Sequence, residues 1–253
     1  MKKNDYIAVF DSGVGGISVL RQLLRVLPGE RYLYFGDSAN APYGTRPREE
    51  VEALTLAAAE KLMVRGVKAF VIACNTATSA ALEALGKRYP ETIVVGIEPP
   101  LALASEQFPG GHVGVLATPG TLKGERFRNA KAHFEKSLRI TPLPAPGLMD
   151  LVEAGKADSP EADALLHQLL DPYAGGLDAL LLGCTHYPFA AASIRRVLGD
   201  GVALLDGAVI TAAETKRALE EKGLLHEGSG EVIVENSLPG DRMLSLSRQL
   251  AGL

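Results

Sequence analysis

Short apolar runs alternate along this chain with longer stretches in which apolar positions recur every three or four residues. The runs are YIAVF (6–10), RYLYFG (31–36), AFVIAC (69–74), IVVGI (93–97), HVGVLA (112–117), DALLLGC (178–184) and VALLD (202–206). Several are apolar throughout rather than at alternate positions, the pattern of strands covered on both faces of a parallel sheet. The stretches between them predict helices over 16–27, 48–65, 76–88, 120–135, 160–173 and 189–198. Several of these open after a small or capping residue, such as Thr76, Thr118 or Ser159. Strand and helix in alternation imply a doubly wound α/β fold, in which ligands sit beyond the carboxyl ends of the strands.

The pattern also repeats. VFDSGVGG (9–16) and VLATPGTL (115–122) are each a strand, a polar turn and a helix start. FVIACNTAT (70–78) and LLLGCTHYP (180–188) are closer still: an apolar strand ending in Cys, then Thr or Asn-Thr, then a helix. Each pair is separated by just over a hundred residues, which two similar lobes would explain. The expected division is 1–98 for the first lobe and 99–206 for the second, crossing at Glu98-Pro99-Pro100, where Pro disfavours helix before it and strand pairing. The tail from 207 has a helical pattern at 211–222 and a short EVIVE strand, and is expected to return to the first lobe. Segment 228–241, rich in Gly and Ser, reads as loop apart from that strand.

Composition narrows the class. Hydrophobic residues make up 47% of the 253, ample for a core. No apolar run approaches the roughly 18 residues of a membrane span. MKKNDYIAVFDSG reads as a first strand and not as a signal peptide, so the cytoplasm is the expected compartment. Net charge is −4 with a pI of about 5.8 and no basic cluster, which argues against nucleic acid as the main partner. Two cysteines in a reducing compartment read as free thiols.

Both cysteines, Cys74 and Cys184, close strands. A lone Cys is more often a buried small hydrophobe. Matching placement in two repeated contexts favours function, because backbone N–H groups at a helix start favour a thiolate and bind carboxylate. Without CxxC, and with five scattered histidines, no metal site is expected. The Gly-rich DSGVGG (11–16) suits either a plain strand–helix turn or a loop with N–H groups facing an anion. Asp11 in it would cap the next helix or orient a thiol and an ammonium group. GDSANAPYG (36–44) is a turn by composition, and Tyr43 and Gly44 in it have main-chain N–H groups to offer a second carboxylate. His186, two residues after Cys184, is a candidate acid–base partner. Glu153 in LVEAG is either a solvated loop carboxylate or the partner of that histidine.

FDSGVGG, APYG, ACNTAT and GCTHYP, in this order, resemble the glutamate racemases, as do IEP, ATPGT and LVEAG. The resemblance runs from about residue 7 to residue 206. It implies two lobes related by pseudo-twofold symmetry with the active site in the cleft between them, no pyridoxal phosphate and no metal, and a role in making D-glutamate for bacterial peptidoglycan. It implies that Cys74 takes the proton from D-glutamate and Cys184 from L-glutamate, Asp11 assisting the first and His186 the second. Asn75, Thr76 and Thr185 would hold the α-carboxylate and amine, and Ser12, Tyr43 and Gly44 the side-chain carboxylate. Glutamate is the expected small-molecule substrate and a homodimer the expected assembly. Aspartate racemases of the wider superfamily tend to carry Glu at the position of His186. The chain departs from the family pattern at Arg46-Pro47, where a Lys-Ser-like pair is usual, at Pro100 in place of Gly, and at Gly207 in place of Ser. Other readings are racemisation of aspartate or another acidic substrate, a single-cysteine decarboxylase or isomerase, and a two-lobed binder of dicarboxylates.

Overall fold

The computed structural model describes residues 1–98 and 100–253, so Pro99 of the expected crossing segment lies outside the described residues. The chain divides into two compact units, Met1–Glu98 with Ala208–Leu253, and Pro99–Gly207. Both are parallel-sheet α/β lobes.

The first unit begins with strand β1 (Tyr6–Asp11), helix α1 (Ile17–Val26), β2 (Arg31–Gly36), α2 (Arg48–Met63), β3 (Val67–Ile72), α3 (Asn75–Arg88) and β4 (Ile93–Gly96). The second contains α4 (Leu101–Gln107), β5 (His112–Ala117), α5 (Pro119–Lys123), α6 (Glu125–Phe134), β6 (Arg139–Pro144), α7 (Leu148–Glu153), α8 (Pro160–Leu170), β7 (Ala179–Leu182), α9 (Ala191–Leu198) and β8 (Ala203–Asp206). The chain then adds α10 (Ala208–Glu221), β9 (Glu231–Asn236) and α11 (Asp241–Ala251) to the first unit.

The strand orders are β4-β3-β1-β2-β9 and β6-β5-β7-β8. Read from the other edge, the second is β8-β7-β5-β6, which matches the first four strands of the first sheet one for one. β1 thus corresponds to β5 and β3 to β7, the pairs that the sequence repeat relates. The apolar runs follow from burial on both faces. In the second unit Leu116, Leu143, Leu180 and Leu182 pack with Leu166, Leu170 and Ile194 on one side. Val113, Val115, Ala179 and Leu181 pack with Leu101, Ala104 and Phe127 on the other.

The returning segment is tied down by charge as well as by strand pairing. β9 pairs in parallel with β2. At the opposite end of the sheet from Cys74, fully buried Lys68 sits 2.5 Å from the Glu30 carboxylate and donates to the Lys3 carbonyl and, at 2.9 Å, to that of Leu224. Glu30 also accepts the His226 N–H at 2.8 Å. Burial pushes the Lys68 ammonium below its ordinary value, and the Glu30 carboxylate opposes that shift.

Several elements differ from the sequence pattern. The helix expected over 120–135 is two, because Gly124 takes an extended ψ of 146° between them. β6 lies outside the apolar runs of the sequence: its Pro142 and Pro144 argue against a central strand, but it is an edge strand, where a missing N–H is tolerated. α4 and α7 are one to two turns long, too short to show periodicity, and α11 follows a Gly- and Ser-rich stretch. The helix expected from 189 begins with a 3-10 turn, Tyr187–Ala190. Among the described residues no helix is long and apolar enough to cross a membrane.

Candidate active site

In the first unit the candidate residues gather at the carboxyl ends of β1, β2 and β3. Asp11, the last residue of β1, is fully buried, and its Oδ2 accepts the Gly13 N–H at 2.8 Å. Asp11 therefore closes an Asx-type turn. The N-cap position of α1 is Gly16, five residues after Asp11. Gly16 is required there: a Cβ would lie 2.6 Å from Asp11 Cβ and 2.9 Å from Ala73 Cβ. The other side of the Gly-rich turn is held by Tyr34, whose hydroxyl donates to the Gly13 carbonyl at 2.7 Å.

Cys74 follows β3 and is 6% exposed. Its sulfur accepts the Ala77 N–H at 3.5 Å, so the thiol itself is the N-cap of α3. Thr76, expected to open this helix, lies inside its first turn, because the cysteine two residues earlier already occupies the extended cap position with φ −73° and ψ 123°. Ser12 Oγ lies 3.5 Å from Cys74 Sγ. Asn75 and Thr76 are half-buried at the helix start.

The turn after β2 carries Tyr43 and Gly44. The Tyr43 ring is buried 6.3 Å from that of Phe10, and it shares a core cluster with Cys74. Its hydroxyl donates to Asp37 Oδ2 at 2.7 Å. Burial first, and then the Asp37 carboxylate, push the phenol well above its ordinary range, so it stays a donor near neutral pH. The side chain is thus committed inward, and Tyr43 is almost wholly buried while Gly44 beside it is half-buried. Asp37 was not singled out in the sequence. An acidic residue directly after a strand, followed by an aromatic within one turn, was the available signal.

In the second unit Cys184 lies just beyond β7 and is 8% exposed. Its carbonyl accepts the Tyr187 N–H at 3.1 Å, which begins a 3-10 turn and not an α-helix. Thr185 and His186 are buried beside it. His186 Nδ1 lies 3.7 Å from Cys184 Sγ, and Nε2 lies 3.0 Å from Glu153 Oε1. Glu153 ends α7, which is aimed by Gly147 at φ 85°, a left-handed conformation that favours glycine. The arrangement is a thiol, an imidazole and a carboxylate in line. It lets the histidine exchange a proton with the sulfur while the carboxylate fixes the ring. Tyr187 donates its hydroxyl to the Ala145 carbonyl at 3.0 Å, and burial, then the Cys184 charge, raise it above its ordinary range.

The chain matches the Asp/Glu/Hydantoin racemase family over residues 7–215. It is 42% identical to the glutamate racemase of Clostridium perfringens (strain SM101 / Type A), over 98% of this chain and 96% of that one. The crystal structure of glutamate racemase from Thermus thermophilus in complex with β-chloro-D-alanine is similar at a TM-score of 0.82 and 39% identity, covering 99% of this chain and 94% of that one. The structure of Escherichia coli glutamate racemase in complex with L-glutamate and the activator UDP-MurNAc-ala is similar at a TM-score of 0.88 and 28% identity, covering 98% and 95%.

Proposed function

Since the chain belongs to the Asp/Glu/Hydantoin racemase family, and is thus an isomerase of the racemase class, we propose that it interconverts L- and D-glutamate with Cys74 and Cys184 as the two acid–base groups. The observation that carries this reading is the pair of buried thiols at corresponding strand ends of two sheets that share the order of four strands, each with its own polar neighbour.

The α-proton of an amino acid is a very weak acid, and the substrate's own carboxylate makes its removal harder. Without an imine cofactor, position and electrostatics must stabilise the carbanion. Inversion needs a base on one face of Cα and an acid on the other. With D-glutamate, the Cys74 thiolate takes the α-proton and the Cys184 thiol donates its own to the opposite face. The enzyme is left with the thiolate at Cys184 and the thiol at Cys74, the form ready for L-glutamate. Asp11 assists Cys74, and His186, oriented by Glu153, assists Cys184. Asn75, Thr76 and Thr185 hold the α-carboxylate and amine. Ser12 and the main chain of Tyr43 and Gly44 hold the side-chain carboxylate.

On this reading the protein uses neither pyridoxal phosphate nor a metal, works in the cytoplasm as a homodimer, and supplies D-glutamate for peptidoglycan, cell-wall biogenesis and cell shape. Residues 1–98 with 207–253 form one catalytic domain and residues 99–206 the other. The test is to incubate L-glutamate with the purified protein in D2O and follow circular dichroism and Cα deuteration. Optical activity should decay to zero with deuterium entering Cα. Binding without deuteration would make the protein a dicarboxylate binder, and decay with aspartate in place of glutamate would reassign the substrate.

A further inference from the structure

The turn that carries Tyr43 and Gly44 has little packing of its own beyond the Tyr43 ring: Ala41 and Gly44 are half-buried, and Pro42 and Thr45 are exposed. Its shape rests on hydrogen bonds from two sides. From inside, the Asp37 carboxylate takes the Tyr43 hydroxyl at 2.7 Å and the Asn40 side-chain amide at 3.0 and 3.1 Å. From outside, Arg46 Nε donates to the Asn40 carbonyl at 2.8 Å, and the Arg46 N–H donates to the Tyr43 carbonyl at 3.1 Å. The Arg46 guanidinium also pairs through Nη1 with Glu50, in the first turn of α2. Asn40 is thus held by its side chain from one direction and by its carbonyl from the other. Tyr43 is held in the same two ways, and Gly44 lies between Tyr43 and the Arg46 N–H that braces it.

We propose that Arg46 is a positioning residue for the substrate's side-chain carboxylate, acting by pinning the Asn40–Arg46 turn in the form that presents the Tyr43 and Gly44 main chain. This rests on the reading above that these residues hold that carboxylate. The guanidinium suits the task because its rigid fork reaches two acceptors from two nitrogens, Nε to Asn40 and Nη1 to Glu50. A lysine, usual here in the family pattern, has one nitrogen on a flexible stem and holds Glu50 without bracing Asn40 in the same geometry. A turn fixed before substrate arrives need not be ordered on binding, so its anchor contributes to affinity and not to proton transfer.

The experiment is steady-state kinetics in both directions for Arg46→Ala, Arg46→Lys and Glu50→Gln. Arg46→Ala should raise KM for both enantiomers about tenfold, the change expected from one lost hydrogen bond to a charged donor. Its kcat should stay within about twofold, since no reacting atom is touched. Arg46→Lys should fall between wild type and Arg46→Ala. Glu50→Gln should stay near wild type, because the Nε bond to Asn40 survives it. An unchanged KM in Arg46→Ala, a kcat that falls as far as kcat/KM, or a Glu50→Gln KM as high as that of Arg46→Ala would each overturn the proposal. If Arg46→Ala does not fold, a KM for Arg46→Lys no higher than that of Glu50→Gln overturns it. Failure of the underlying reading shows separately, as a wild-type protein that does not racemise glutamate.

Discussion

Cys74 and Cys184 follow corresponding strands of two sheets that share the order of four strands, yet their surroundings differ. Cys74 caps a 14-residue α-helix with its own sulfur, receiving a main-chain N–H, and has a serine hydroxyl at 3.5 Å. Cys184 opens onto a four-residue 3-10 turn and has an imidazole at 3.7 Å, which is backed by a carboxylate. The Cys74 sulfur faces a fixed main-chain dipole that favours negative charge on it, and the Cys184 sulfur lies beside a group that can itself move protons. Two-base inversion asks the same of both thiols, because each must act as base in one direction and as acid in the other. On the proposed reading the requirement is met at the level of charge stabilisation, which a helix end with the Asp11 carboxylate and a histidine–carboxylate pair can both supply.

The strongest way to break the comparison is to remove the thiols. Cys74→Ser and Cys184→Ser should each lower racemisation by on the order of 10⁴ or more, at or beyond the upper end of helper effects, because a serine hydroxyl is a far weaker acid than a thiol. Glutamate affinity by calorimetry should change much less. Near-normal turnover in either variant would end the two-base scheme.

The helpers come next. Asp11→Asn and His186→Asn should each cost about 10²–10⁴ in rate. L- and D-glutamate are mirror images with an equilibrium constant of one, so kcat/KM must fall equally in both directions and rate alone does not assign sides. Isotope effects do. Asp11→Asn should raise the effect on kcat/KM for α-deuterated D-glutamate and lower that for the L-enantiomer, and His186→Asn should do the reverse. Shifts of the same sign in both variants would make these residues shared binding groups.

Glu153→Gln keeps an acceptor for His186 Nε2 but removes its charge, so a loss of about tenfold is expected, with isotope effects shifted in the His186→Asn direction. A shift in the Asp11→Asn direction would detach Glu153 from the Cys184 side. Ser12→Ala should also cost about tenfold, read mainly as a higher KM, because on the proposed reading its hydroxyl holds the substrate's side-chain carboxylate while the Ala77 N–H still faces the Cys74 sulfur. A loss from Ser12→Ala that falls on kcat with KM unchanged would make Ser12 a helper of the Cys74 sulfur and not a carboxylate-binding group.

The alternation of strand and helix, the strand ends that carry Cys74 and Cys184, and the likeness of 9–16 to 115–122 and of 70–78 to 180–188 are all legible in the sequence. They are local: a buried parallel strand must be apolar along its length, and a turn at its end must be polar and small. Tertiary structure decided the partners. Glu153 reads from the sequence as either a solvated loop carboxylate or the partner of His186, and the folded chain decides between them by bringing it across 33 residues on a six-residue helix too short to show periodicity. Asp37 and Arg46 read as ordinary turn residues until the folded chain sets Asn40 and Tyr43 between them. Which thiol caps a helix, which strand accepts a proline, and where β9 docks depend on sheet order and on edge or central position. Those properties belong to contacts between residues far apart in the chain, and the pattern along a single segment does not encode them.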